Sequence, residues 1–206
     1  SLGDGYALGI SSYGEEDYGY SDFIKDRLQE EKKLKIYTKD FAEKNQSINH
    51  LYETLLTNEK ITTGKVEKNI KQTLRESDLV TMTIGLNDII YHITITPNMN
   101  EYKLQQIMKN LEKDIKILIK EIKTYYPKEI YIIGYPEVPI ENSYIKEGIK
   151  KLNKIYKNLE NVTYISTENI INENDFLYSE SIYPSKESYE KVAKEVIKKL
   201  ANKKNT

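Results

Sequence analysis

The sequence contains no cysteine, which excludes disulfide bonds, thiolate nucleophiles and cysteine-ligated metals. Its two histidines, His50 and His92, lie far apart without metal-ligand spacing, so we expect neither a metal nor a cofactor. No apolar run is long enough to span a bilayer, and the given residues include no signal peptide. The formal net charge of -1 provides no basic field, which disfavours nucleic acid as a partner.

The residues that are present have the balance of a globular protein with a strongly hydrated surface. Of the 206 residues, 38% are hydrophobic and 31% are charged, which predicts a single α/β domain over residues 1–206. There are 18 tyrosines and no tryptophan. A coding bias towards A and T would account for the overuse of lysine, asparagine, isoleucine and tyrosine without any functional cause.

The segment from Leu79 to Ile89 is the centre of the predicted fold. It begins with apolar and β-branched residues, which are typical of a buried strand in a parallel sheet. The strand stops at Gly85, and Asn87 and Asp88 follow. Ligands of open α/β sheets lie beyond the carboxyl ends of the strands, so this polar pair is a candidate site. Gly-x-Asn-Asp is also ordinary turn chemistry, and both interpretations stay open.

Strand and helix patterns alternate along the rest of the chain. Strands are predicted at Leu2 and at residues 33–41, 79–84, 129–136 and 162–166. Helices are predicted from residue 21 and over residues 48–56, 66–75, 101–125, 145–159 and 184–200. This alternation predicts a parallel sheet of about five strands with helices on both faces, and the apolar helix stripes are interpreted as core.

Three segments that are distant in sequence fall at the same end of this sheet: Gly3-Asp4-Gly5, Gly85-Leu86-Asn87-Asp88 and Glu180-Ser181-Ile182-Tyr183-Pro184. Their order and spacing resemble the conserved blocks of the SGNH (GDSL-type) hydrolase family over nearly the whole chain. The resemblance implies a three-layer, flavodoxin-like α/β fold. It also implies a serine esterase site, in which a serine attacks the ester, a histidine oriented by an aspartate removes the proton, and amide groups bind the oxyanion.

The residues at the family's catalytic positions do not match this chemistry. Gly5 occupies the nucleophile position and has no side chain. Tyr183 occupies the base position, and a phenol that titrates near pH 10 cannot replace an imidazole at neutral pH. The orienting position is Glu180, or Ser181 if the register shifts by one. Asn45 stands at the second-block glycine, where an asparagine can still adopt the left-handed backbone and present its amide.

Of the family's functional side chains only Asn87 is retained, so we expect no functional catalytic residue. The residues expected to line the remaining cleft are Asp4, Gly5, Tyr6, Gly85, Asn87, Asp88 and Tyr183. Asp4 is interpreted as structural. The tyrosines expected at the rim of this cleft are Tyr6, Tyr13, Tyr18, Tyr20 and Tyr183, although a tyrosine-rich chain places tyrosines everywhere.

These features predict a domain that has lost ester hydrolysis and acts as a binding or scaffolding module, with a small-molecule, glycan or acylated ligand in the vestigial cleft. The alternative is an active esterase, lipase or carbohydrate deacetylase that uses Ser11 or Ser12 with His50 or His92. A third hypothesis is a protein partner bound at residues 168–181 or 97–100. Because the sequence starts close to the end of a first strand, we expect an upstream segment, which favours a bacterial cell-envelope or extracellular location.

Overall fold

The structure, a computed structural model, describes residues 1–63 and 66–203. Its strands are β1 (Leu2–Gly3), β2 (Lys60–Thr63), β3 (Val66–Asn69), β4 (Val80–Thr83), β5 (Ile130–Ile133) and β6 (Val162–Ile165). Its helices are α1 (Gly5–Leu8), α2 (Tyr20–Glu30), α3 (Ile48–Thr57), α4 (Ile70–Glu76), α5 (Leu86–Ile95), α6 (Glu101–Tyr125), α7 (Ser143–Lys157) and α8 (Lys186–Lys203), with a short 3-10 turn at Glu173–Asp175. No helix in these two ranges is long and apolar enough to cross a membrane.

A parallel sheet in the order β1-β4-β5-β6 forms the centre of the fold. All four residues of β4 and of β5 are buried, as expected for strands that are covered on both faces. The helices fall into two groups: α2 packs on α8, and α6 packs on α3, α5 and α7. The predicted α/β class, with a parallel sheet flanked by helices, is confirmed.

The strand predicted at residues 33–41 is wrong, and the parallel sheet has four strands rather than about five in the part of the chain that the structure describes. This segment runs beside β1 but is irregular. Ser1 N donates to Thr38 O at 2.8 Å, and Glu43 N donates to Gly3 O at 2.9 Å. The apolar alternation is not buried, since Ile36 is 71% exposed. Side-chain contacts, such as that of Lys39 Nζ with Asp22, hold the segment instead of a strand ladder.

The helix predicted over residues 66–75 is two elements. Residues 66–69 form β3, which pairs antiparallel with β2, and α4 begins only at Ile70. The Asn69 side chain caps α4 by accepting a hydrogen bond from Gln72 N at 2.8 Å, which fixes the start of the helix there. The four-residue spacing of apolar side chains arises across this junction rather than along one helix.

The long helix α6 has the predicted bounds, and its stripe from Leu104 to Ile122 is buried. Helix α3 begins after Ser47, whose side chain accepts a hydrogen bond from His50 N at 3.1 Å. Helix α2 begins one residue earlier than predicted, after Gly19. Helix α5, which starts directly behind Gly85, carries Asn87 and Asp88 in its first turn, so this polar pair belongs to a helix and not to a turn.

Candidate functional site

The first loop at the carboxyl end of the sheet is organised by the buried carboxylate of Asp4. This carboxylate caps α1 by accepting from Tyr6 N at 3.1 Å, and it also accepts from Thr83 Oγ1 at 2.8 Å and from the hydroxyl of Tyr135. Burial raises the pKa of Asp4 to about 7, and the hydrogen bonds from Tyr135 and Thr83 act in the opposite direction. All of its contacts are internal, so Asp4 holds β1, β4 and α1 together.

The ring of Tyr183 lies where a side chain at position 5 would be. A Cβ atom placed on Gly5 would lie 2.6 and 2.7 Å from two ring carbons of Tyr183, closer than real Cβ contacts allow. Tyr183 is itself only 7% exposed. The nucleophile and base positions of the resembled family are therefore in direct contact here, and the aromatic ring fills the space that a nucleophile would need.

The main-chain carbonyl of Lys44 accepts hydrogen bonds from three donors at this site. Gly5 N donates to it at 3.2 Å, Tyr183 Oη at 3.3 Å and Asn87 Nδ2 at 3.4 Å. The Asn87 amide donates a further bond to Gln46 O at 3.0 Å. The first-loop amide and the asparagine side chain are the groups that the resemblance assigns to the oxyanion. A carbonyl oxygen of the chain itself occupies them.

The same peptide unit explains why Asn45 does not serve as predicted. The described backbone places no positive φ at Asn45, so it has not adopted the left-handed conformation that was expected. The carbonyl of Lys44 and the N–H of Asn45 belong to one trans peptide and therefore point in opposite directions. Since the carbonyl faces the donors, the Asn45 amide faces away from them, and the expected oxyanion donor is replaced by an acceptor.

The last block contains no residue that orients a base. Glu180 is exposed, and the hydrogen bonds of Tyr183 in the described part of the chain go to Ser12, Ser181 and Lys44 instead. Ser181 Oγ donates to Tyr183 O at 2.8 Å and accepts from Tyr183 N at 3.1 Å, which fixes the loop but leaves the phenol untouched. Burial, together with the charge of Asp4, raises the pKa of Tyr183. The phenol therefore stays protonated and acts as a hydrogen-bond donor.

Several of the tyrosines expected at the rim of a cleft form its interior. Tyr6 packs against Tyr135, Tyr183 and Tyr189, with ring centroids 5.1, 5.7 and 5.8 Å away. The Tyr6 hydroxyl donates to Ile182 O at 2.7 Å. Tyr20 is also fully buried. The rim prediction was wrong for Tyr6, Tyr20 and Tyr183, because all three are buried; the rings of Tyr6 and Tyr183 pack on each other between the first and last loops.

The remaining two expected rim residues lie at the surface, where Tyr13 is 68% exposed and stacks edge-on with Tyr178 at 5.6 Å. Tyr18 packs on Phe23 with ring centroids 4.9 Å apart. These contacts are separate from the buried tyrosine cluster.

Gly85 and Asp88 support the neighbouring helices. Gly85 has φ +102°, which favours glycine, and it is the residue from which α5 starts. The Asp88 carboxylate is buried and accepts from Ile48 N at 3.1 Å, joining α5 to the start of α3. Burial raises the pKa of Asp88 to about 6.

The alternative nucleophiles have no base. Ser12 Oγ donates to Tyr183 O at 2.8 Å, and Ser11 Oγ accepts from Tyr13 N at 3.3 Å. His50 Nδ1 lies 3.4 Å from Glu43, and the His92 ring stacks on Tyr91. The structure therefore shows no hydrogen bond between a histidine ring and a serine hydroxyl within the described ranges. Nor do these ranges contain a group of three or more acidic or histidine side chains able to hold a metal.

Two residues with a role in this site carry no signal in the sequence. Lys44 acts through its main-chain oxygen, which every residue type has. Gln46 is fully buried, and its side-chain amide has no partner among the described residues. The sequence feature that indicated this segment was Asn45, the motif position between Lys44 and Gln46.

Comparison with known proteins gives the same picture of the fold. The chain is 18% identical to the lipase Lip_vut3 from a goat rumen metagenome, with a TM-score of 0.73 over 96% of this chain and 94% of that one. It is 14% identical to a catalytic mutant of Axe2, an acetylxylan esterase from Geobacillus stearothermophilus, with a TM-score of 0.65 over 96% and 90%. A lipase/acylhydrolase from Enterococcus faecalis is 14% identical, with a TM-score of 0.61 over 98% and 94%.

These identities establish a shared fold and leave the activity open. A search of curated proteins finds no match. The profile of the GDSL-like lipase/acylhydrolase family, in contrast, matches residues 1–196. With a parallel sheet that brings the three motif loops to one end, the chain belongs to the GDSL-like lipase/acylhydrolase family.

Proposed function

We propose that this chain is a non-catalytic GDSL domain that acts as a binding or scaffolding module. The observation that carries the proposal is the contact between Gly5 and Tyr183, since one ring fills the space of the missing nucleophile. Acyl transfer by this family's route needs a hydroxyl within hydrogen-bond reach of a base. Gly5 has no side-chain hydroxyl, and the phenol of Tyr183 does not act as a base at neutral pH.

The state of the oxyanion donors supports the same conclusion. Loss of one member of a catalytic triad leaves a residual rate of about 10³–10⁴ over water, which comes from the oxyanion donors and from binding. Here Gly5 N and Asn87 Nδ2 already donate to Lys44 O. A substrate carbonyl would have to displace that oxygen first, so even the residual catalysis is opposed.

A binding role then places the recognition surface outside the closed cleft. A glycan or an acylated ligand could enter the former site only if the Tyr183 ring and the Lys44 carbonyl moved together. The Tyr183 hydroxyl donates to Lys44 O, and this oxygen also accepts from Gly5 N and Asn87 Nδ2. The scaffold keeps a stable fold and exposed loops, which is what a partner-binding domain requires.

The experiment is an esterase assay with p-nitrophenyl acetate and butyrate at pH 7–8, combined with fluorophosphonate labelling and intact mass. We expect a rate equal to that of a Ser12→Ala variant and of heat-unfolded protein, with no adduct. Circular dichroism would establish that the tested sample is folded. Saturable turnover that disappears in Ser12→Ala, or an adduct on any serine, would overturn the proposal and support the rearranged esterase.

A further inference from the structure

A cavity separate from the motif loops lies beyond the end of β6, between α7 and α8. Its volume is about 760 Å³. Its apolar lining is Tyr164, Ile165 and Ile170, and its polar lining comes mainly from side chains of the two helices. It lies alongside β6, which is the edge strand of the sheet.

The charge of this cavity differs from that of the whole chain. Four lysines line it against two glutamates, whereas the chain as a whole has a formal net charge of -1. The lysines are Lys150, Lys154, Lys157 and Lys199. The first three are four and three residues apart and therefore share one face of α7, opposite Lys199 on α8.

Most of this positive charge is not neutralised by the protein. Lys150 Nζ lies 3.5 Å from Glu137, but no ion pair within 4 Å is formed by Lys154, Lys157 or Lys199 in the part of the chain that the structure describes. Of the two lining glutamates, Glu195 lies 3.7 Å from Lys198, which is outside the cavity. The cavity therefore has an unbalanced positive wall.

The neutral groups around the cavity favour a ligand with polar as well as charged atoms. Tyr164, Ser166 and Asn169 line it with hydroxyl and amide groups. Thr167, between two lining residues, is fully buried, and its hydroxyl has no partner among the described residues. In contrast, the Asn153 amide is engaged by both Tyr135 N and Tyr135 O and is a fixed part of the wall.

We propose that this cavity binds a small organic anion with at least two negative charges, in phosphate or carboxylate form, between the lysines of α7 and Lys199 of α8. The lysine side chains act as point charges, the hydroxyl and amide groups orient the ligand, and the apolar lining accepts its carbon skeleton. This site goes beyond the proposed function and does not depend on whether the protein hydrolyses esters.

The test uses the full chain at about 20 mM salt, with pyrophosphate and citrate as probes and glucose as the uncharged control. Binding is followed by calorimetry and by amide chemical shifts, which should change at Ser166, Asn158 and Ile170. We expect sub-millimolar affinity for at least one anion, and a loss of affinity at about 0.5 M salt, where the Debye length is only a few ångströms. Stronger binding of pyrophosphate assigns a phosphoryl ligand, and stronger binding of citrate assigns a carboxylate ligand.

The decisive variant is Lys154→Gln/Lys199→Gln, which removes two charges and keeps good helix formers. Its matched control is Lys113→Gln/Lys120→Gln on the exposed face of α6, with the same change in net charge. We expect the first pair to weaken binding by about tenfold and the second by less than about twofold. Equal weakening by both pairs, or no binding of either anion up to about 10 mM, would overturn the proposal.

Discussion

Gly5→Ser is the substitution that most directly tests the closed site. A Cβ atom on Gly5 would lie 2.6 and 2.7 Å from ring carbons of Tyr183. The φ of Gly5 is not positive, so the backbone itself tolerates a side chain, and the conflict is with the Tyr183 side chain, whose hydroxyl oxygen is the nearest atom. Overpacking of this kind costs about 1–3 kcal/mol, and displacement of the Tyr183 hydroxyl from Lys44 O adds about 1 kcal/mol.

We therefore expect Gly5→Ser to lower the free energy of unfolding by about 2–4 kcal/mol, which corresponds to a fall in Tm of about 4–16 °C for a chain of this size. Urea denaturation and calorimetry measure both quantities. The control is the same substitution in a Tyr183→Ala background, where the ring is absent and Gly5→Ser should cost less than about 0.5 kcal/mol. A double-mutant cycle with a coupling energy near zero would refute the packing argument.

Further substitutions test the other contacts of the site. Asn87→Ala should lower the free energy of unfolding by about 1–2 kcal/mol in urea denaturation, because the hydrogen bonds to Gln46 O and Lys44 O are lost. Asn87→Asp should lower it more, because carboxylate oxygens would then face two carbonyl oxygens. Unchanged stability of both variants would contradict a structural role of Asn87. The pKa of Asp4 is raised to about 7 in the folded protein from a value near 3.8 in the unfolded chain, so the folded state binds the Asp4 proton more tightly. The stabilisation that protonated Asp4 contributes below pH 4 should therefore fall by roughly 2–4 kcal/mol as the pH rises to 7. Asp4→Asn should flatten that profile, and an equally steep profile in the variant would assign it elsewhere. The double variant Gly5→Ser/Tyr183→His should hydrolyse nitrophenyl esters only at the background rate until Asn45→Gly is added. Glycine at position 45 permits the left-handed backbone that would turn its N–H towards the site, and one oxyanion donor contributes about 10²–10³ in rate. Activity of the double variant alone would contradict the role of Lys44 O.

The sequence predicted the fold best where one periodic pattern extends over a whole element. Helix α6 has 25 residues with an apolar stripe from Leu104 to Ile122, and all four residues of β5 are apolar, so the sequence pattern left no competing assignment. The strand predicted at residues 33–41 was wrong because a short apolar alternation does not show whether the segment pairs with a neighbouring strand. The single helix predicted over residues 66–75 was wrong because the apolar spacing continues from β3 into α4, although Asn69 is a residue type that commonly caps a helix N-terminus.

The positions of the site were predictable, but their contacts were not. The order of the motif blocks brought Gly5, Asn87 and Tyr183 to one end of the sheet. That the Tyr183 ring packs on Gly5 depends on contacts between residues 178 positions apart, which no local pattern carries. The occupancy of the donors by Lys44 O depends on the direction of one peptide plane, and a main-chain atom has no signature in the sequence.

The packing of Tyr183 on Gly5 also constrains how this chain could acquire a side-chain hydroxyl at position 5. A change at either residue alone lowers stability, one by a clash and the other by a void, so the two changes are epistatic. A stepwise replacement of both residues would have to pass through a less stable intermediate, while Lys44 would still offer an acceptor instead of a donor. A serine and a histidine at these two positions would therefore need several coordinated changes at once.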